Sequence, residues 1–137
     1  DMKKQTGIWI DTSKAIIVSL DGGKEKISEI DSEVENSVYH NKEGDKGTFS
    51  GSHHGNNESK FDAREKEELD FFIKKVLDYV KKSDELYFFG PGETKTRLER
   101  IIQDSDLIAP GKLKAVETSD KMTINQIASK VKSFYNQ

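Results

Sequence analysis

Residues 85–93 read Glu-Leu-Tyr-Phe-Phe-Gly-Pro-Gly-Glu, and this stretch decides the fold. Four consecutive large apolar residues, Leu86 to Phe89, do not alternate as a half-exposed strand would. They read as a strand buried on both faces. Gly90-Pro91-Gly92 then turns the chain directly into a helix expected over about 92–104, with Pro91 near the first helical position and Leu98, Ile101 and Ile102 pointing inward. A doubly buried strand feeding straight into a helix belongs to an α/β architecture, in which helices join successive parallel strands by right-handed crossovers.

Working outward towards the N-terminus, residues 61–82 repeat with a 3.6 period. Leu69, Phe72, Ile73, Val76, Leu77 and Val80 fall on one helical face, and acidic and lysine side chains cover the other. Before that helix lies a segment of different character, about residues 36–60. It holds Gly44, Gly47, Gly51 and Gly55 with serines, asparagines and three histidines, and Phe49 is nearly its only large apolar residue. A stretch of that length without a structural period inside a compact domain is expected to be a functional loop or disordered. Earlier still, residues 6–11 and 14–20 are apolar and β-branched. A turn at Thr12-Ser13, tied by the Asp11 side chain, joins them as a hairpin. After Gly22-Gly23, residues 24–34 alternate weakly and suit a third, antiparallel edge strand with one wet face.

Towards the C-terminus, residues 112–117 form the last expected strand. Thr123 with Gln126 three positions on is a capping box, and Met122 with Ile127 is placed as its hydrophobic staple. Ile124, Ile127, Ala128, Val131 and Phe134 supply the expected inner stripe of the last helix. The order is therefore βββαβαβα, a mixed five-stranded sheet with helices on its faces. That is the ribonuclease H-like plan, shared by translational machinery components. The 137 residues make one expected domain, 1–137, with the loop at about 36–60.

Composition bounds the chemistry. The chain is 33% hydrophobic and 34% charged, with a net charge of −3 and the two signs interspersed. Nucleic-acid binding would therefore need a local basic face. Without cysteine there is no disulfide framework, thiol nucleophile or cysteine-built zinc site. No apolar run approaches the ~18 residues of a membrane span, and the first residues lead straight into a strand with no signal peptide, so a cytoplasmic protein without membrane contact is expected.

No catalytic set is complete. Asp11 ends the first strand, where a ribonuclease H-like nuclease places its first metal-binding carboxylate. Two-metal chemistry needs further carboxylates converging there. The fourth strand ends in Gly90-Pro91-Gly92 with no acid at its tip, and Glu93 falls in a first helical turn, where acids complement the dipole. Asp11 therefore reads as a turn residue. Gly90 to Lys95 could offer helix N-terminal N–H groups to a phosphate, but it is neither a Walker A loop nor GxGxxG and reads as a tight connection. Adjacent His53 and His54 seldom converge on one ion, and no well-spaced third ligand follows. No Gly-x-Ser-x-Gly elbow is present. No cofactor or metal is expected, and the sequence leans away from an enzyme.

Basic residues remain. Lys42, Lys46 and Lys60 lie in the loop or at its end, Lys95, Arg97 and Arg100 on the second helix, and Lys121, Lys130 and Lys132 in and just before the last helix. A ribosome or structured RNA could meet the loop through Lys42, Lys46 and Lys60, with Phe49, His53 or His54 stacking on a base.

Gly7-Ile-Trp-Ile-Asp11, Lys14-Ala-Ile-Ile-Val18, residues 86–93 and residues 117–127 (Glu-Thr-Ser-Asp-Lys-Met-Thr-Ile-Asn-Gln-Ile) together resemble small stand-alone bacterial proteins related to the middle domain of the class I release factors of eukaryotes and archaea and of Pelota. The last stretch is the most specific. The resemblance implies a translation-associated binding domain, with residues 36–60 at the place of the release-factor loop that carries Gly-Gly-Gln. That tripeptide is absent here; the one Gly-Gly, Gly22-Gly23, precedes Lys24 in a hairpin, so peptidyl-tRNA hydrolysis is not implied. The alternative from another class is a divalent-metal-dependent nuclease using Asp11. Oligomeric state is open.

Overall fold

A computed structural model describes residues 3–33 and 54–136, with the side chains of residues 54–62 outside the description. Three strands open the chain: β1 (Lys4–Ile10), β2 (Lys14–Asp21) and β3 (Lys24–Asp31). Helix α1 (His54–Val80), strand β4 (Glu85–Gly90), helix α2 (Gly92–Asp104), strand β5 (Leu113–Thr118) and helix α3 (Ile124–Phe134) follow, with a short 3-10 turn at Pro110–Lys112. The sheet order is β3-β2-β1-β4-β5. β1, β2 and β3 form the antiparallel meander, and β4 pairs parallel to β1 and to β5. This is the α/β plan expected, with β3 at an edge.

Each sheet face has its own apolar layer. Ile8, Ile10, Ile17, Leu86 and Phe88 meet α1 through Leu69, Phe72, Ile73, Val76 and Leu77, and α2 through Leu98 and Ile101. On the opposite face Trp9, Ile16, Val18, Tyr87 and Phe89 meet α3 through Ile127, Ala128 and Val131. Phe88 and Phe89 thus go to opposite layers, which is why the run 86–89 does not alternate in polarity.

α3 lies unusually near the sheet. A Cβ built on Gly7 of β1 would stand 2.3 and 2.7 Å from the two methyls of Val131. Glycine is what permits that approach. The far end of α3 is pinned by the Tyr135 hydroxyl, which donates to the Thr6 carbonyl at 2.9 Å. Its near end carries the capping box: the Thr123 hydroxyl accepts from the Gln126 N–H, and the Gln126 side chain accepts from the Thr123 N–H at 2.9 Å. Met122 and Ile127 belong to the same apolar layer, as a staple requires.

Two expectations need correction. Ile124 does not join the inner stripe; it is 46% exposed. It shares the face of Ile127 and Val131, three and seven residues on, but as the first residue of α3 it stands one turn short of them at the open end of the helix. The loop was expected to run to about residue 60, yet α1 is helical from His54. The apolar stripe that revealed this helix starts only at Leu69, and polar turns ahead of it add to an existing helix without a second nucleation cost. α1 is ~40 Å long at 1.5 Å per residue. None of its described side chains before Leu69 is buried.

Candidate functional site

The direction of each element sorts the loops by end. β1, β4 and β5 run together, and α1 runs back against them. Its last turn lies by the start of β1, where the Asp84 N–H donates to the Lys4 carbonyl and the Asp84 carboxylate accepts from the Lys4 N–H. At the opposite, carboxyl end of the parallel strands stand the β1–β2 turn, Ser32 and Glu33 after β3, the first turn of α1, the β4–α2 connection and residues 119–123 after β5. In α/β sheets this end is where ligands are received, because helix N-termini and loops of variable length gather there.

Asp11 is tied up in its turn. Its Oδ1 accepts from the Ser13 N–H (2.8 Å), the Ser13 hydroxyl (2.9 Å) and the Lys14 N–H (2.9 Å), while its own N–H donates to the Lys14 carbonyl. That is the bond set of a side chain closing a turn. Among the described residues no group of three or more His, Asp or Glu side chains could hold a metal ion.

Gly90 closes β4 with φ 154°, and a Cβ there would sit 2.1 Å from the Ile10 carbonyl oxygen, so no other residue fits. Its carbonyl accepts from the Ser119 N–H at 2.8 Å, which holds the ends of β4 and β5 together. Pro91 is the N-cap of α2, with no side-chain cap bond, and Glu93 lies in the first turn. An anion arriving at this helix end would meet that carboxylate. Thr94 is buried, and its hydroxyl has no partner among the described residues. The arrangement is a tight strand-to-helix connection.

Of the residues expected to contact RNA or a ribosome, Lys42, Lys46, Phe49 and His53 lie outside the described residues. His54 and Lys60 fall in the opening turns of α1, where only the backbone is described. All six side chains thus lie outside the description, and both described flanks of the segment stand at the carboxyl end. Ser32 anchors one flank: it is buried, its N–H donates to the Ser13 carbonyl at 2.9 Å and its hydroxyl to the Thr12 carbonyl.

The other basic residues are mostly engaged within the fold. Arg97 makes a two-pronged bond to Asp70, Nε to Oδ1 and Nη2 to Oδ2, each 2.8 Å. Lys95 pairs with Glu99 at 3.7 Å. Lys130 pairs with Glu117 at 3.8 Å and stands 5.9 Å over the Phe89 ring. Lys132 pairs with Glu25. Arg100 and Lys121 are exposed. A cleft of about 220 Å³ between α1 and α2 is lined by Lys74, Arg97, Arg100, Asp70 and Asp104. Sequence reasoning missed it, because the Asp70–Arg97 pair that shapes it joins residues on different helices.

Two tyrosines are held neutral. Burial, then the bond from Tyr87 to Glu117 (2.5 Å), raises the Tyr87 phenol above its ordinary value, and burial first raises that of Tyr135. Glu85 is lowered, chiefly by the Gln5 amide that donates to it at 2.9 Å. On the edge strand a hydrogen bond with Asp31 raises Glu29. Among the described residues no helix is long and apolar enough to cross a membrane.

No protein-family model matches the chain, and neither does any curated protein. Among solved structures it is similar to the crystal structure of the archaeal translation termination factor aRF1, at 12% identity and a TM-score of 0.49, over 97% of this chain. The chain spans 39% of that protein's length.

Proposed function

We propose that this chain is a non-enzymatic, translation-associated module of the cytoplasm that binds the ribosome or structured RNA through residues 36–60, without hydrolysing peptidyl-tRNA. Lys42, Lys46 and Lys60 would meet phosphates, and Phe49, His53 or His54 would stack on a base. One observation carries the reading. The connection between β3 and α1, with residues 34–53 and the cationic, aromatic and imidazole side chains in them, departs and rejoins at the carboxyl end of the parallel strands. Its departure point, Ser32, is buried and bonded to the β1–β2 turn, so the segment starts from a fixed base. The likeness of residues 117–127 to the release-factor and Pelota middle domain supports the same reading.

Co-sedimentation with ribosomes at low and raised salt tests it. Binding that falls steeply with salt, and is lost when Lys42, Lys46 and Lys60 are changed together to Glu, is expected. Unchanged affinity in that variant, at an unchanged circular dichroism spectrum, refutes the assignment. The alternative, a metal-dependent nuclease, requires Asp11 to release Ser13 and Lys14 in favour of an ion. It predicts Mg²⁺- or Mn²⁺-dependent RNA cleavage that disappears in Asp11→Asn.

A further inference from the structure

We propose that the outward ridge of α1 is a self-complementary contact surface, on which a second copy of this chain docks with its own α1 running antiparallel. The observation is the order of side chains along the ridge. Glu67, Glu68, Phe71, Lys74, Lys75 and Asp78 are spaced by three, four and seven residues about Phe71 and so share one face of the helix. That face is turned away from the sheet, since Leu69, Phe72, Ile73, Val76 and Leu77 occupy the inner one. Phe71 is 69% exposed, the largest exposure among the described large apolar side chains. Beside it Glu67, Glu68, Asp70 and Lys74 line a shallow hollow, which continues past Asp70 and Lys74 into the cleft between α1 and α2.

Charge selects the occupant. Glu67 and Glu68 precede Phe71 by one turn, and Lys74 and Lys75 follow it by one turn. Among the described residues none of these four is ion-paired. A two-fold axis beside Phe71 that reverses the second helix sets one ring by the other. It also brings each acidic pair opposite the basic pair of the other copy, so four charges of each copy meet opposite charges at once. A parallel arrangement would oppose glutamate to glutamate and lysine to lysine. A nucleic acid would find its phosphates against Glu67, Glu68 and Asp70. The pattern thus fits its own reversed image better than it fits a polyanion.

This surface is separate from the carboxyl-end segment assigned to RNA or the ribosome, and the two readings stand or fall independently. One helix ridge buries less than the ~1,200 Å² of a standard stable interface, so the dimer is weak and depends on concentration.

Sedimentation velocity of the whole chain from about 1 μM to about 1 mM, a range bracketing weak association, reads it directly. The expected result is reversible monomer–dimer exchange that weakens as salt rises from about 0.05 to 0.5 M. Phe71→Ser weakens dimerisation at least about tenfold, the effect of removing a central aromatic anchor. Glu67→Lys with Glu68→Lys gives a monomer, and so does Lys74→Glu with Lys75→Glu. An equimolar mixture of those two double variants restores a heterodimer, because each supplies the charges the other lacks. All these positions are exposed or half-exposed, so the variants keep the parental melting temperature. A parent that stays monomeric to about 1 mM, a Phe71→Ser variant that associates like the parent, or a mixture that remains monomeric would each overturn the proposal.

Discussion

Replacing Gly7 with alanine tests how closely α3 sits on the sheet. In an ordinary strand that exchange is mildly favourable: removing glycine restricts the unfolded chain, by about 0.4–1 kcal/mol. Here the new methyl would meet Val131 Cγ2 at 2.3 Å, Cγ1 at 2.7 Å and Cβ at 3.0 Å. Rotation of Val131 about χ1 offers no escape, because both methyl groups and the branching carbon crowd the same point and valine is stiff there. α3 must retreat, opening contacts with Trp9, Tyr87 and Phe89 in the same layer. Overpacking of this kind costs about 1–3 kcal/mol, which outweighs the chain-entropy gain. For a domain of this size the melting temperature should fall by roughly 3–10 °C. The decisive measurement is a double-mutant cycle by thermal and urea denaturation. Val131→Ala removes the two nearest atoms at its own cavity cost, so Gly7→Ala should cost much less in that background, leaving a coupling of about 1 kcal/mol or more. Gly7→Ala at parental stability, or a cycle that closes to zero, would refute the reasoning.

The other expectations are smaller. Asp11→Ala, which removes the acceptor of three donors, should destabilise by about 1–2 kcal/mol in urea titrations, and Asp11→Asn by less, because one oxygen remains. Thr123→Ala should cost about 1 kcal/mol through the lost capping box, read as a lower melting temperature. Tyr87 and Tyr135 have folded-state pKa values above the ordinary phenol value, so their contribution is intact below about pH 10 and is lost as pH rises through the folded values. Tyrosinate absorbance should therefore show phenols that ionise only with unfolding, and Tyr87→Phe with Tyr135→Phe should flatten the alkaline limb of the stability curve. A cycle on Asp70 and Arg97, a partly exposed pair, should give a coupling of about 0.5–1 kcal/mol, reduced by salt.

Elements with a strong period were legible in the sequence. The stripe Leu69–Phe72–Ile73–Val76–Leu77–Val80 is buried throughout, α2 occupies the stretch 92–104, and the capping box of α3 forms as read. The Asp11 turn was visible because its bonds are local, reaching only Ser13 and Lys14. The start of α1 at His54 was not, since a helical turn that buries nothing leaves no periodic mark. Ile124 was misplaced for the converse reason: an apolar residue at the edge of a stripe is assigned inward whether or not a neighbour reaches it. Gly7 gave no sign of its role, and the Asp70–Arg97 pair joins residues twenty-seven apart. Contacts made only by the assembled fold have no signature along the chain. The side chains that carry the proposed binding lie in or beside the one connection with no period, where sequence supplies composition and nothing of arrangement.

The edge strand β3 has a further consequence. Among the described residues no strand pairs with its outer side, and an unpaired strand edge is a template on which a second sheet can grow. Residues directly opposite in an antiparallel pair share a face, so a two-fold pairing of β3 with its own copy must match odd positions with odd and even with even. Centred on Ile27, such a pairing sets Glu25 against Glu29. Centred on Ser28, it sets Glu25 against Asp31, and centred on Lys26 or Glu29 it sets that residue against itself. Every in-phase alignment along the middle of the strand meets a like-charge pair, which disfavours pairing. The alternation of Lys24, Glu25, Lys26, Glu29 and Asp31 thus works as a lock against fibre growth from this edge, and it leaves copies of the chain to meet elsewhere.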